Sequence, residues 1–230
     1  MNTDTGTDTH AGTDVDAGAD PDTRTDRMRL VIIVGSVRHG RFGLVAAEWL
    51  ASQAGLRTDF DIDVIDLDTV WLPDVMFMDP AECKPQAVQD LAPWLAEADA
   101  FVVVTPEYKR SFPASLKSAI DWYDEEWRAK PVAFLSYGGA SSGLCAVAQL
   151  RQIFAEAHAV TVRETVSFHA HHDQDRLDRY NGLDTAGCPF NTGLDAARAM
   201  LDRLGWWARA LRRARETEPY EPATHHCLGE

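Results

Sequence analysis

The sequence predicts an α/β protein, a five-stranded parallel sheet of order 2-1-3-4-5 with helices on both faces. Three observations carry that expectation. Strand-like and helix-like patterns alternate five times between the two chain ends, and parallel strands need such crossovers. The runs Val31 to Val34 and Ala100 to Thr105 are apolar on both faces, as strands covered on both sides by helices must be. Glycine-rich or proline-containing stretches follow the first, third and fourth strands, at the sheet edge where ligands bind in this architecture.

Each element follows from its local pattern. Val31 to Val34 is the first strand, and Phe42 to Ala54 the helix after it, with Leu44, Ala47 and Leu50 in one stripe. Ile62 to Leu67 alternates apolar and acidic residues, which suits a strand at a sheet edge. A loop with Trp71, Leu72, Pro73 and Met76 to Met78 leads to a helix over 84–97. The strand from Ala100 to Thr105 precedes a helix over Pro113 to Trp127, in which Leu116, Ile120, Tyr123 and Trp127 recur at helical spacing. Pro131 to Tyr137 is the fourth strand, followed by a helix carrying Leu144, Val147, Leu150 and Phe154. Val160 to Phe168 is the fifth strand and Leu194 to Arg215 the closing helix.

Composition bounds the rest. A chain of 230 residues with 45% hydrophobic content can bury a substantial core in one domain, expected over 28–215. Residues 1–27 carry seven Asp against two Arg and almost no large apolar side chain, so an acidic disordered tail is expected there. Residues 216–230 read as a second, flexible tail. No membrane span or apolar leader is visible, and the cytoplasm is the default location. The net charge of −14 argues against nucleic-acid binding through a broad basic surface. Cys83, Cys145, Cys188 and Cys227 lack paired spacing and read as reduced thiols.

The informative stretch is Gly35-Ser-Val-Arg-His-Gly-Arg-Phe-Gly43. Glycines at 35, 40 and 43 let the backbone approach an anion, and the amides that open the following helix favour negative charge. The Ser36 hydroxyl and the Arg38 and Arg41 guanidinium groups can add hydrogen bonds to it. After the third strand, Thr105-Pro-Glu-Tyr-Lys-Arg-Ser111 combines a rigid turn, an aromatic ring and several polar groups, a wall suited to a planar heterocycle.

These two motifs, GSVRHGRFG and PEYKRSFPASLKSAIDW, resemble those of the NADPH-dependent FMN reductases, and the likeness runs from about Arg29 to Arg215. The resemblance implies a flavodoxin-like fold, bound FMN, and hydride transfer from NADPH or NADH to flavin N5, then to a flavin, quinone or similar small acceptor. An FMN-binding electron carrier without nicotinamide oxidation is the alternative. By match of position, Ser36, Arg38, Arg41, Phe42 and Gly43 cradle the FMN phosphate. Pro106, Glu107, Tyr108 and Ser111 line the flavin ring, and Tyr137, Gly138 and Gly139 close over its other side. Lys109 stands where the family has Asn, and Ser118 where it often has Asn. A cation at the N1–C2 edge of the ring would stabilise anionic reduced flavin, a role excluded if Lys109→Asn leaves the flavin potential unchanged. The resemblance also implies a homodimer, or a dimer of such dimers, with the flavin near the subunit boundary.

Other groups read as structural. His169, His171, His172 and Asp173 form a solvated loop near the pocket entrance rather than a zinc site, since no spaced partner ligands accompany them. Trp122, Trp127, Trp206 and Trp207 read as core or dimer contacts. Glu107 has the chemistry of an acid or base, yet hydride transfer requires none and turn geometry explains it equally.

Overall fold

The computed structural model describes residues 1, 27–74, 84–169 and 192–221. Both tails beyond these ranges lie outside the described residues, as do Met76 to Met78, His171, His172, Asp173 and three of the four cysteines.

The elements run β1 (Met28–Val34), α1 (Gly43–Gly55), β2 (Phe60–Asp66), α2 (Leu67–Val70), α3 (Gln86–Ala96), β3 (Ala100–Pro106), α4 (Ala114–Trp122), β4 (Pro131–Gly138), α5 (Leu144–Glu156), β5 (Val160–His169) and α6 (Thr192–Thr217). The strands form one parallel sheet in the order β2-β1-β3-β4-β5, as expected. From β1 the chain first moves outward to β2, then returns past β1 to β3 and continues to β5. Right-handed crossovers therefore place α1 on one face and α3, α4 and α5 on the other.

Two cores result. Leu30, Ile32, Val102, Val104 and Leu135 face α1 and α6, where Leu50, Met200 and Leu204 meet them. Val31, Ile33, Val103 and Phe134 face α3, α4 and α5 through Leu95, Ile120, Leu150 and Phe154. β3 and β4 are buried along their whole length, which is why their sequences show no alternation. β2 is an edge strand, and its acidic residues at 61, 63 and 66 guard it against pairing with another chain.

Three expectations change at element ends. The predicted helix to Trp127 stops at Trp122, because Tyr123 turns extended (φ −124°, ψ 142°) and the chain folds back as a turn. Asp124, Glu125 and Glu126 would have crowded the negative end of a longer helix. Trp127 still reaches the same core, 1% exposed, with its ring nitrogen donating to Ile120 O and its ring edge-on to Phe101 and Phe154. The short α2 was not foreseen; Asp66 caps it by accepting from the Asp68 amide, and Trp71 ends it in a left-handed conformation. The closing helix extends to Thr217, two residues past the expected boundary.

Lys130, 5% exposed, donates from Nζ to the carbonyls of Leu95 (2.8 Å) and Ala96 (2.7 Å) in the last turn of α3. Burial pulls its pKa down to about 8. The unfolded chain, with a lysine pKa near 10.4, then holds more protons than the folded one between about pH 8 and 10. Stability should rise with pH across that window, by at most about 1.4 kcal/mol per pH unit, and Lys130→Met should abolish the slope in urea titrations. Trp127→Ala should cost about 3–5 kcal/mol in the same measurement.

Candidate active site

Three loops meet beyond the carboxyl ends of β1, β3 and β4. The first is pinned before it opens. The Gly35 amide donates to Val104 O (2.9 Å), and Ser115, in the first turn of α4, donates to Gly35 O (2.7 Å). A Cβ at Gly35 would stand 3.2 Å from the Leu116 side chain, so the close approach of α4 favours glycine there. Ser36 is fully buried, and its hydroxyl is 3.0 Å from that of Tyr108 on the second loop. Arg38, His39 and Gly40 follow, exposed, with Gly40 at φ +67°. The chain then enters α1 at Gly43, whose first-turn amides have no helical acceptor.

Arg41 is committed elsewhere. Its guanidinium pairs with Asp66 and with Asp68 (2.7 Å), and the arginine and Asp66 side chains are each 14% exposed. Those carboxylates draw it to the end of β2, so it braces the loop against the edge strand. Phe42 is a core residue, its ring edge-on to Tyr137 at 5.1 Å and to Phe168 at 6.2 Å. Arg38 makes no ion pair among the described residues.

In the second loop the Glu107 amide donates to Tyr137 O (2.9 Å). Its carboxylate accepts from the Ser141 hydroxyl (2.6 Å) and from the Cys145 amide (3.0 Å) in the first turn of α5. A carboxylate at a helix N-terminus is favoured by the exposed amides there. Glu107 thus ties the second loop to the third and is consumed in doing so. Tyr108 and Ser111 exchange two backbone bonds, Tyr108 N to Ser111 O (2.7 Å) and Ser111 N to Tyr108 O (3.0 Å). Between them Lys109 (φ 52°) and Arg110 (φ 67°) both take positive φ, the pattern of a type I′ turn. Asn and Gly accept that conformation readily; a left-handed Lys or Arg costs about 1–2 kcal/mol. This backbone suits Asn, the residue that the sequence resemblance implies at position 109, better than lysine. Ser111 turns its hydroxyl to Gln149 on α5 (2.7 Å), and Gln149 donates in turn to Arg110 O (2.8 Å).

The third loop is shaped by its glycines. A Cβ at Gly143 (φ +88°) would fall 2.5 Å from Ser136 Cβ, and one at Gly138 would meet Glu107 Cβ at 3.2 Å. Gly139 faces open space. Tyr137 does not project over the loop. Its ring is buried, and its hydroxyl ends 2.7 Å from where a Cβ on Gly43 would lie, without a hydrogen-bond partner among the described residues. Burial raises its pKa, so it remains a protonated donor. Sequence reasoning missed Ser115, Ser141 and Gln149, whose partners are remote backbone or side-chain atoms that no local pattern announces.

A family model described as NADPH-dependent FMN reductase matches residues 28–173. The chain belongs to that family. An NAD(P)H-dependent FMN reductase of Schizosaccharomyces pombe is 34% identical over 131 residues, which cover 54% of this chain and 64% of that one. A 2-hydroxy-1,4-benzoquinone reductase from Burkholderia sp. is 31% identical over 157 residues, covering 66% and 82%. Among solved structures, the flavoenzyme NAD(P)H:(acceptor) oxidoreductase of Paracoccus denitrificans superposes with a TM-score of 0.62 at 22% identity, over 80% of this chain and 98% of that one. The flavodoxin-like fold is confirmed by that likeness and by the strand order. As a member of the NADPH-dependent FMN reductases, the chain uses FMN with NAD(P)H as electron donor.

The residues present fit such a group. The first-turn amides of α1, the buried Ser36 hydroxyl and a Tyr137 hydroxyl that makes no well-aligned hydrogen bond among the described residues converge at the start of α1, where a phosphate would offer them acceptors.

Two substitutions test this geometry in the protein free of flavin. Glu107→Ala leaves the Ser141 hydroxyl and the Cys145 amide unpaired and should cost about 1–3 kcal/mol. Tyr137→Phe removes an oxygen that bonds nothing among the described residues and should leave the urea midpoint unchanged or higher.

Proposed function

We propose that this protein is an FMN-dependent NAD(P)H oxidoreductase that reduces small quinones or free flavin, with the FMN phosphate seated at the start of α1. The buried Tyr137 hydroxyl, aimed at that helix end and lacking a partner among the described residues, is the observation that carries the assignment of the site. Bound FMN would supply the hydride-transfer chemistry; the protein supplies binding, orientation and access.

The roles of the side chains follow from their contacts. Ser36, Tyr137 and the first-turn amides of α1 hold the phosphate, and exposed Arg38 folds over it as the charge-assisted partner. Arg41 keeps the loop in place through Asp66 and Asp68 and leaves the direct contact to Arg38. Pro106, Tyr108 and Ser111 form one wall for the ring, with Tyr108 at its exposed edge. Glu107 sets the distance between that wall and the Gly138–Gly139 loop without exchanging protons itself. Two copies pair to complete the site, as the resemblance to the family implies; light scattering of the FMN-loaded protein should return twice the chain mass. No helix among the described residues is long and apolar enough to cross a membrane.

The visible spectrum of the purified protein tests the assignment. A yellow flavin band that bleaches on adding NADPH or NADH and returns on adding a benzoquinone is expected. A colourless protein that takes up no FMN would overturn the reading, and a band insensitive to both nucleotides would assign an electron carrier instead. Arg38→Ala and Tyr137→Phe should each weaken FMN binding about tenfold or more by calorimetry, while riboflavin, which lacks the phosphate, should bind both variants as it binds the wild type.

A further inference from the structure

The turn at Lys109 and Arg110 is built against its own backbone preference. Both residues hold positive φ, where neither side chain is favoured, and the surroundings enforce it through the paired bonds of Tyr108 and Ser111 and the Gln149 contacts. Strain of this kind persists where the side chains presented serve a purpose. Here both are cations, both are exposed, and neither makes an ion pair among the described residues. Arg29, Arg41, Arg57, Arg209, Arg212 and Arg215 are each paired with carboxylates, whereas Lys109 and Arg110 share with Arg38, on the facing loop, the lack of any ion pair among the described residues.

The location narrows the ligand. The turn stands at the rim of the flavin site, one residue beyond Tyr108, whose hydroxyl meets Ser36 of the phosphate loop. The electron donor must come to that rim to deliver its hydride, and it carries phosphates outside the nicotinamide. A protein of net charge −14 repels such a molecule at long range. Two unpaired cations on a pinned backbone reverse the local sign. Arg110 offers a planar fork for a phosphate and Lys109 a compact point charge.

We infer that the Lys109-Arg110 turn is the phosphate-reading element for the electron donor, binding the phosphates of the nicotinamide dinucleotide as it lies over the flavin. This rests on the oxidoreductase reading above. Lys109 on this account serves the donor rather than the flavin ring.

Lys109→Asn combined with Arg110→Gly tests it, because Asn-Gly is the preferred pair for this turn and removes the charge without disturbing the backbone. Binding of NADP⁺ and NAD⁺ to the FMN-loaded wild type and variant is measured by calorimetry at two salt concentrations. The variant should bind NADP⁺ about tenfold or more weakly, with a flatter salt dependence, while its FMN affinity stays within about threefold of wild type. Loss confined to NADP⁺ assigns the turn to the ribose 2′-phosphate; equal loss for NAD⁺ assigns it to the diphosphate; both support the inference. Unchanged NADP⁺ binding overturns it, as does a shifted flavin potential with dinucleotide binding intact, which would put the charge at the ring. Wild-type protein that takes up FMN but neither binds nor oxidises either nucleotide would overturn the oxidoreductase reading itself.

Discussion

The pairing of β1 with β3 at the middle of the sheet is the constraint from which the rest of the molecule follows. β1 is buried on both faces and bonded to β2 on one side and β3 on the other, so the chain must leave it outward and come back past it. Right-handed crossovers then send α1 and α3 to opposite faces and leave the loops after β1 and β3 side by side with no helix between them. That gap is where Gly35 to Gly43 and Pro106 to Ser111 face each other, joined by the Ser36 and Tyr108 hydroxyls.

The gap is held at a fixed width by polar groups that are themselves satisfied. Glu107 spends both carboxylate oxygens on the third loop, and Arg41 spends its guanidinium on the edge strand. Residues that resemble catalytic or phosphate-binding groups are thereby converted into braces. The groups of these loops left open to a ligand include the Tyr137 hydroxyl, pointed at a helix N-terminus, and the exposed cations at 38, 109 and 110. A buried donor without an acceptor is costly in the empty protein, and the same donor gains most when an anion arrives.

Much of this was legible in the sequence because its signals are local. Runs such as Phe101 to Val104 admit few environments other than a buried parallel strand, and the helix stripes at Leu50, Leu150 and Leu204 name their own faces. Five alternations and a right-handed rule then leave little freedom in the strand order. Where the sequence misled, the pattern was satisfied in another way. Tyr123 and Trp127 keep their place in the core through a turn instead of a longer helix, because helical spacing reports burial and not the backbone that achieves it.

Sequence alone determined the fold, the family and the three loops of the candidate site. Tertiary structure decided which side chains in those loops remain available to a ligand. The motif offered Arg38 and Arg41 as equals, yet Asp66 at the end of β2 and Asp68 in α2 claim one and leave the other exposed. It offered Tyr137 as part of a loop closing over the flavin, and the register of β4 buries its ring and brings its hydroxyl beside the start of α1. It marked Lys109 as a departure from Asn, and only the backbone showed that the position asks for a left-handed residue. The physical reason is common to all three: a residue type states what bonds a side chain can make, and the neighbours brought in from remote segments state which of them are already made.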